Sequence, residues 1–119
     1  MRVAIVSDRK AGLHDFSRGM GSDVEWFANP GKFLKKAPDT AWNLVVIDAL
    51  LTGVDIRGIL QDLLQINARL HTAVISGMSE SELFEHCEGL GVLCAVPGVP
   101  EWSDGARVMN QLCLFYDMG

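Results

Sequence analysis

Residues 43–55 read Asn-Leu-Val-Val-Ile-Asp-Ala-Leu-Leu-Thr-Gly-Val-Asp, and this segment decides the fold. The consecutive apolar residues 44–47 predict a strand that is buried on both faces, as in a parallel sheet covered by helices on both sides. Asp55 is a good N-cap, and apolar residues at helical spacing follow it over 56–66. The segment therefore predicts a buried strand, a loop that begins at Asp48, and an amphipathic helix.

The same alternation of strand and helix patterns extends over the whole chain. The predicted strands are 2–7, 24–28, 44–47, 72–75 and 92–96, and the predicted helices are about 11–20, 30–37, 55–66, 79–87 and 102–115. Strands that alternate with helices in this way predict an α/β protein with a doubly wound (βα)5 open parallel sheet of flavodoxin-like topology. With 119 residues and no repeat or linker, the chain is expected to form a single domain over 1–119.

The composition excludes several classes of protein. The chain is 49% hydrophobic and 21% charged, which is typical of a globular domain, and its net charge of −5 argues against a nucleic-acid-binding surface. No apolar run approaches the roughly 18–20 residues of a membrane span. The three cysteines are far apart and form no CxxC pair, so we interpret them as thiols in a reducing cytoplasm. We therefore expect a cytoplasmic protein that contacts neither membrane nor nucleic acid.

Polar residues follow three of the predicted strands. Asp8 follows the first strand, Asp48 follows the third, and Ser76 follows the fourth. The carboxyl ends of parallel strands meet at one edge of the sheet, so Asp8 and Asp48 are expected to share a pocket. Two neighbouring carboxylates repel each other unless a cation lies between them, and their hard oxygens suit Mg²⁺. Each aspartate taken alone could be only a turn former or a helix cap, but their joint placement favours a magnesium site.

Segment 43–55 and the order of elements resemble the receiver domain of bacterial two-component response regulators (the CheY-like family) over nearly the whole chain. The resemblance implies that Asp48 is the phosphoryl acceptor and that Ser76 is the hydroxyl residue that contacts the phosphoryl group. It also implies that Asp8, Asp48 and the backbone carbonyl of Leu50 hold Mg²⁺. A carboxylate can attack phosphorus in line to form an aspartyl phosphate, and Mg²⁺ would offset the negative charge.

The chain also departs from the receiver pattern. Ser7 stands where the first of two acidic residues is usual, and Val96, followed by Pro97, stands where Lys is usual. Val cannot form an ion pair with a phosphoryl oxygen, so the site is incomplete and the chain is predicted to be a degenerate variant. Other departures are Leu93 in place of an aromatic residue and Thr52 in place of Pro. Arg9 and Lys10 follow Asp8 directly, which motivates the hypothesis that one of them replaces the missing Lys.

Two functions follow from the resemblance. In the first, Asp48 accepts a phosphoryl group from a histidine kinase or phosphotransfer protein, and the domain relays the signal as a phosphoprotein. In the second, the domain is a pseudo-receiver that binds partner proteins without phosphorylation. The resemblance further implies a homodimer through the last two helices and the fifth strand. A flavodoxin-like enzyme has little support, because loop 7–12 supplies charged residues where a hydroxyl- and Gly-rich FMN loop is needed; we expect no enzyme activity.

Overall fold

A computed structural model describes residues 1–39 and 41–117 as alternating strands and helices. The strands are β1 (Arg2–Val6), β2 (Val24–Phe27), β3 (Trp42–Asp48), β4 (His71–Ser76) and β5 (Val92–Pro97). The helices are α1 (His14–Met20, after a 3-10 turn over Ala11–Leu13), α2 (Pro30–Leu34), α3 (Ile56–Ile66), α4 (Glu80–His86) and α5 (Trp102–Asp117). Each predicted element is confirmed, with bounds that differ by a few residues.

The five strands form one parallel sheet in the order β2-β1-β3-β4-β5. The central strand β3 pairs with β1 through Val45 opposite Ala4, and with β4 through Val45 opposite Thr72. The chain winds outward from β1 to one side and from β3 to the other, so the direction of winding changes between these two strands. This arrangement confirms the doubly wound topology and places the crevice for a site at the carboxyl ends of β1 and β3.

The core consists of two apolar layers, one on each face of the sheet. Residues of β3 alternate between them: Val45 and Ile47 lie in one layer, and Leu44 and Val46 lie in the other. Helices α2, α3 and α4 cover the first layer, while α1 and α5 cover the second. The alternation explains why four consecutive residues of β3 must all be apolar.

Helix caps set the length of two loops at the carboxyl edge of the sheet. The side chain of Asp55 accepts a hydrogen bond from the Gly58 amide at the start of α3. At the start of α4, Ser79 and Glu82 form the reciprocal hydrogen bonds of a capping box. These caps hold the helix starts in place after β3 and β4, so the short loops that follow Asp48 and Ser76 have little freedom.

Helices α1 and α5 pack backbone to backbone. A Cβ atom at Gly19 would overlap the carbonyl oxygen of Trp102, and one at Gly105 would overlap that of Phe16. Only glycine allows this approach at both positions, which holds the start of α5 close to α1.

Within residues 1–39 and 41–117, no helix is both long enough and apolar enough to cross a membrane.

Candidate functional site

Asp48 lies at the centre of the carboxyl edge, at the end of β3, and its side chain is 0% exposed. Its Oδ2 accepts hydrogen bonds from Ser7 Oγ at 2.7 Å and from Arg9 Nε at 2.8 Å. Its Oδ1 accepts a hydrogen bond from the backbone amide of Leu50 at 3.0 Å. Both oxygens of the carboxylate are therefore bound by donors of the chain itself, and the Arg9 contact is charge-assisted.

These donors decide the protonation state of Asp48. Burial raises the pKa of the carboxyl group, because a charge loses hydration in the interior. Hydrogen bonds from Arg9, Ser7 and the Leu50 amide outweigh burial, and the pKa of Asp48 lies below its ordinary value. The hydrogen bond to Asp48 in turn raises the pKa of Arg9. The two groups therefore form an ion pair at neutral pH.

Arg9 connects three loops of this edge. Its backbone lies in the loop after β1, and its Nε contacts Asp48, the last residue of β3. Its Nη1 donates to the carbonyl oxygen of Gly98, in the loop after β5, at 3.0 Å. The Arg9 amide also donates to Ser7 Oγ at 3.0 Å. We refer to the contacts of the Arg9 guanidinium with Asp48 and Gly98 as the Arg9 bridge. Of the two candidate cations, it is Arg9 that meets Asp48; the Lys10 ammonium lies 5.6 Å from the ring centroid of Trp26.

The other predicted site residues have separate surroundings. Asp8 is exposed, and its charge acts on Arg9. Ser76 is buried, and its Oγ accepts a hydrogen bond from the Met78 amide at 3.2 Å. Val96 is buried in the apolar layer under α1 and α5. Ser7, which the sequence indicated only as a departure from the receiver pattern, is a buried donor to Asp48.

The resemblance to receiver domains implies a Mg²⁺ ion at this edge of the sheet. In the part of the chain that the structure describes, no three His, Cys, Asp or Glu side chains are grouped so that they could hold a metal ion. A divalent cation shared by Asp8, Asp48 and the Leu50 carbonyl would also lie beside the positive charge of Arg9, which is already 2.8 Å from Oδ2. These residues do not fit the ion well, and the magnesium site stays a prediction.

A parallel sheet in the order β2-β1-β3-β4-β5, with an aspartate at the end of its central strand, is a doubly wound α/β arrangement of the flavodoxin-like type. Solved structures share this architecture. A CheY-like response regulator receiver domain from Methanospirillum hungatei JF-1 is 20% identical, with a TM-score of 0.80, over 99% of this chain and 98% of its own. The receiver domain of a modulated diguanylate cyclase from Desulfovibrio desulfuricans G20 is 19% identical, with a TM-score of 0.74, over 98% and 95%.

A third similar structure contains a phosphorylated aspartate. It is a response regulator from Burkholderia pseudomallei with a phosphorylated aspartic acid, a calcium ion and citrate, 13% identical, with a TM-score of 0.73, over 99% of this chain and 72% of its own. No protein family model and no curated protein matches this sequence. The chain therefore has the CheY-like receiver-domain fold, with a sequence that is only 13–20% identical to these three structures.

Proposed function

We propose that this chain is a receiver-type signalling module that acts by binding partner proteins, with Asp48 serving as an internal anion and not as a phosphoacceptor. The observation that carries the proposal is the ion pair between Arg9 and a fully buried Asp48. The fold supports a role in two-component signalling, and the ion pair favours the pseudo-receiver form of that role.

Phosphoryl transfer to an aspartate requires one carboxylate oxygen to approach phosphorus in line. In this chain Oδ2 already accepts from Ser7 and Arg9, and Oδ1 accepts from the Leu50 amide. A donor would have to uncover the side chain and displace at least one of these partners. Since each of these hydrogen bonds is to a charged group, their loss opposes the reaction.

A second candidate is the phosphorelay function, in which a histidine kinase or phosphotransfer protein phosphorylates Asp48. One observation favours it: Arg9 Nη2 is buried and has no hydrogen-bond partner among the described residues, so the guanidinium holds a spare donor beside the carboxylate. This donor could contact a phosphoryl oxygen in place of the Lys that Val96 replaces. Ser76, at the end of the neighbouring strand, is the predicted hydroxyl contact.

Beryllofluoride with Mg²⁺ separates the two candidates, because it mimics an aspartyl phosphate. Amide NMR spectra of the native chain are expected to stay unchanged up to millimolar Mg²⁺ and beryllofluoride, and to match those of similarly treated Asp48→Asn. Saturable shifts in the native protein that Asp48→Asn abolishes would overturn the proposal and establish Asp48 as a phosphoacceptor.

The proposed partner is a second copy of the chain, bound through α4, β5 and α5. Large apolar side chains are exposed along α5, namely Trp102, Leu114 and Phe115. Sedimentation equilibrium is expected to give a dimer for the native chain and a shift to monomer for Leu114→Glu, with Ile66→Glu, an exposed apolar position at the end of α3, as the control. A native monomer at high concentration would contradict the dimer.

We also propose a cytoplasmic location, in line with free thiols at Cys87, Cys94 and Cys113.

A further inference from the structure

We infer that Arg9 is a built-in cation that excludes a divalent metal ion from Asp48, and that it positions the loop after β5 through Gly98. The inference deepens the proposed function and rests on it for its role in signalling. It starts from the disagreement between the donor set and Mg²⁺: the positive charge next to the acidic residue of β3 comes from the chain itself.

The exclusion follows from geometry and charge. Arg9 Nε lies 2.8 Å from Asp48 Oδ2, and Ser7 Oγ lies 2.7 Å from the same atom. A metal ion that used Oδ2 would have to displace at least one of these two donors, and one that used Oδ1 would lie beside the guanidinium charge. Exposed Asp8 attracts Arg9 as well. Asp8, which was predicted to hold the metal ion, therefore stabilises the guanidinium that takes the place of that ion.

The positioning role follows from the second contact of the bridge. Arg9 Nη1 donates to the Gly98 carbonyl at 3.0 Å, across 89 residues of sequence. The side chain of Leu50 also packs on this loop, because a Cβ atom at Gly98 would lie 3.2 Å from Leu50 Cδ1. Val99, directly after Gly98, is 83% exposed, and α5 begins close by at the exposed Trp102. The bridge thus holds an exposed apolar loop in one arrangement without any phosphoryl group.

Magnesium titrations followed by amide NMR test the exclusion. Arg9→Ala is expected to bind Mg²⁺ at least about tenfold more tightly than the native chain, because the carboxylates of Asp48 and Asp8 lose their competing cation. The gain is expected to vanish in the double variant Arg9→Ala/Asp48→Asn. Arg9→Ala with the same Mg²⁺ affinity as the native chain, or a gain that survives in the double variant, would overturn the inference.

Hydrogen exchange of the amides in 98–101 tests the positioning role. Arg9→Lys keeps a positive charge, but a single ammonium lacks the planar fork that contacts Asp48 and Gly98 together. Exchange in this loop is therefore expected to rise about tenfold in Arg9→Lys as well as in Arg9→Ala. Arg107→Ala is the control for the amides of Gly98 and Val99, since Arg107 donates to the Ala95 carbonyl of β5; the Glu101 amide is left out, because Asp104, which accepts from it, pairs with Arg107. Unchanged exchange in Arg9→Lys would overturn the positioning role, even if Arg9→Ala does not fold.

The experiments distinguish the failure of one proposal from the failure of both. Beryllofluoride binding by the native chain, which requires Mg²⁺ beside Asp48, would contradict the proposed function and the metal exclusion together. A native chain that binds no beryllofluoride, together with an Arg9→Ala variant that gains no Mg²⁺ affinity, would contradict this inference and leave the proposed function intact.

Discussion

Two arginines lie near the two ends of β1, Arg2 as its first residue and Arg9 in the loop that follows it, and they differ in the burial of the carboxylates with which they pair. Arg2, at the amino end, pairs with Glu25 at 3.1 Å and with Asp39, and its guanidinium lies 4.0 Å from the ring centroid of Trp42. About half of each carboxylate side chain is exposed, at 53% and 48%. Arg9, at the carboxyl end, pairs with Asp48, which is 0% exposed. Arg2 has more ionic partners, yet water can replace each of them.

The difference teaches that burial of the partner decides what an ion pair contributes. An exposed pair gains little, because water screens the charges and solvates each of them when the pair opens. Breaking a buried pair leaves a charge without water and without a counter-ion, and that state is costly. The carboxyl edge should therefore depend on Arg9 far more than the amino edge depends on Arg2.

The largest effect is expected for Arg9→Gln. Asp48 would remain buried with its ionic partner removed, so the free energy of unfolding is expected to fall by about 3–5 kcal/mol. Urea denaturation followed by Trp fluorescence measures the change. A loss no larger than that of Arg2→Gln would contradict the distinction between the two edges.

Asp48→Asn is expected to cost less, about 2 kcal/mol at neutral pH, because the neutral amide leaves no buried charge and its oxygen can still accept a hydrogen bond. The variant should also change how the free energy of unfolding depends on pH in the acid range. The pKa of Asp48 is lowered in the fold, so its stabilisation is complete above the unfolded value of about 3.9 and is lost as the pH falls through the folded value.

Unfolding free energies measured across this acid range should therefore fall less steeply in Asp48→Asn than in the native chain. Asp39→Asn is the control on the amino edge, where the pKa of Asp39 is also lowered, by the Ala41 amide and by Arg2, but the group is exposed. An equal change in the two variants would show that burial of Asp48 has no special weight.

Ser7→Ala is expected to lower stability by about 1–2 kcal/mol, because Asp48 loses one of its three donors and the Arg9 amide loses its acceptor. Thermal unfolding measures the loss, and Ser17→Ala, whose exposed hydroxyl donates only to the His14 carbonyl, is the control. Stability unchanged in Ser7→Ala would mean that the serine hydroxyl is not needed to satisfy Asp48.

Arg2→Gln is expected to have the smallest effect, about 1 kcal/mol or less, because its carboxylate partners stay hydrated and the contact with the Trp42 ring contributes most of the loss. Raising the salt concentration should reduce the small difference from the native chain further. A loss that approached that of Arg9→Gln, or one that was insensitive to salt, would contradict the comparison.

The sequence predicted the elements well where local physics decides them. The apolar residues 44–47 indicate β3, Asp55 indicates the start of α3, and the spacing of Ser79 and Glu82 indicates the capping box. These signals depend on neighbours within a few positions. Together with the right-handed crossover rule, they predict a doubly wound parallel sheet, while the strand order β2-β1-β3-β4-β5 comes from the structure.

The site was only partly predictable, because its contacts join distant loops. The place of Asp48 follows from the end of a buried strand. Residues 7 and 8 follow the last residue of β1, where strand alternation no longer decides which side chain turns inward, and in the structure Ser7 contacts Asp48. Arg9 was a candidate by proximity alone. Its contact with Gly98 depends on the conformation of a loop 89 residues away, which no local pattern encodes.

That same separation bears on how the chain folds. The Arg9 bridge joins the first β-α loop to the last, so it can close only after β5 has taken its place beside β4 in the sheet. Contacts that need such a long loop to be closed generally form late, after the transition state has gathered the more local pairs. The bridge is therefore expected to slow unfolding and to leave the folding rate almost unchanged, which would make it a determinant of how long the native state persists.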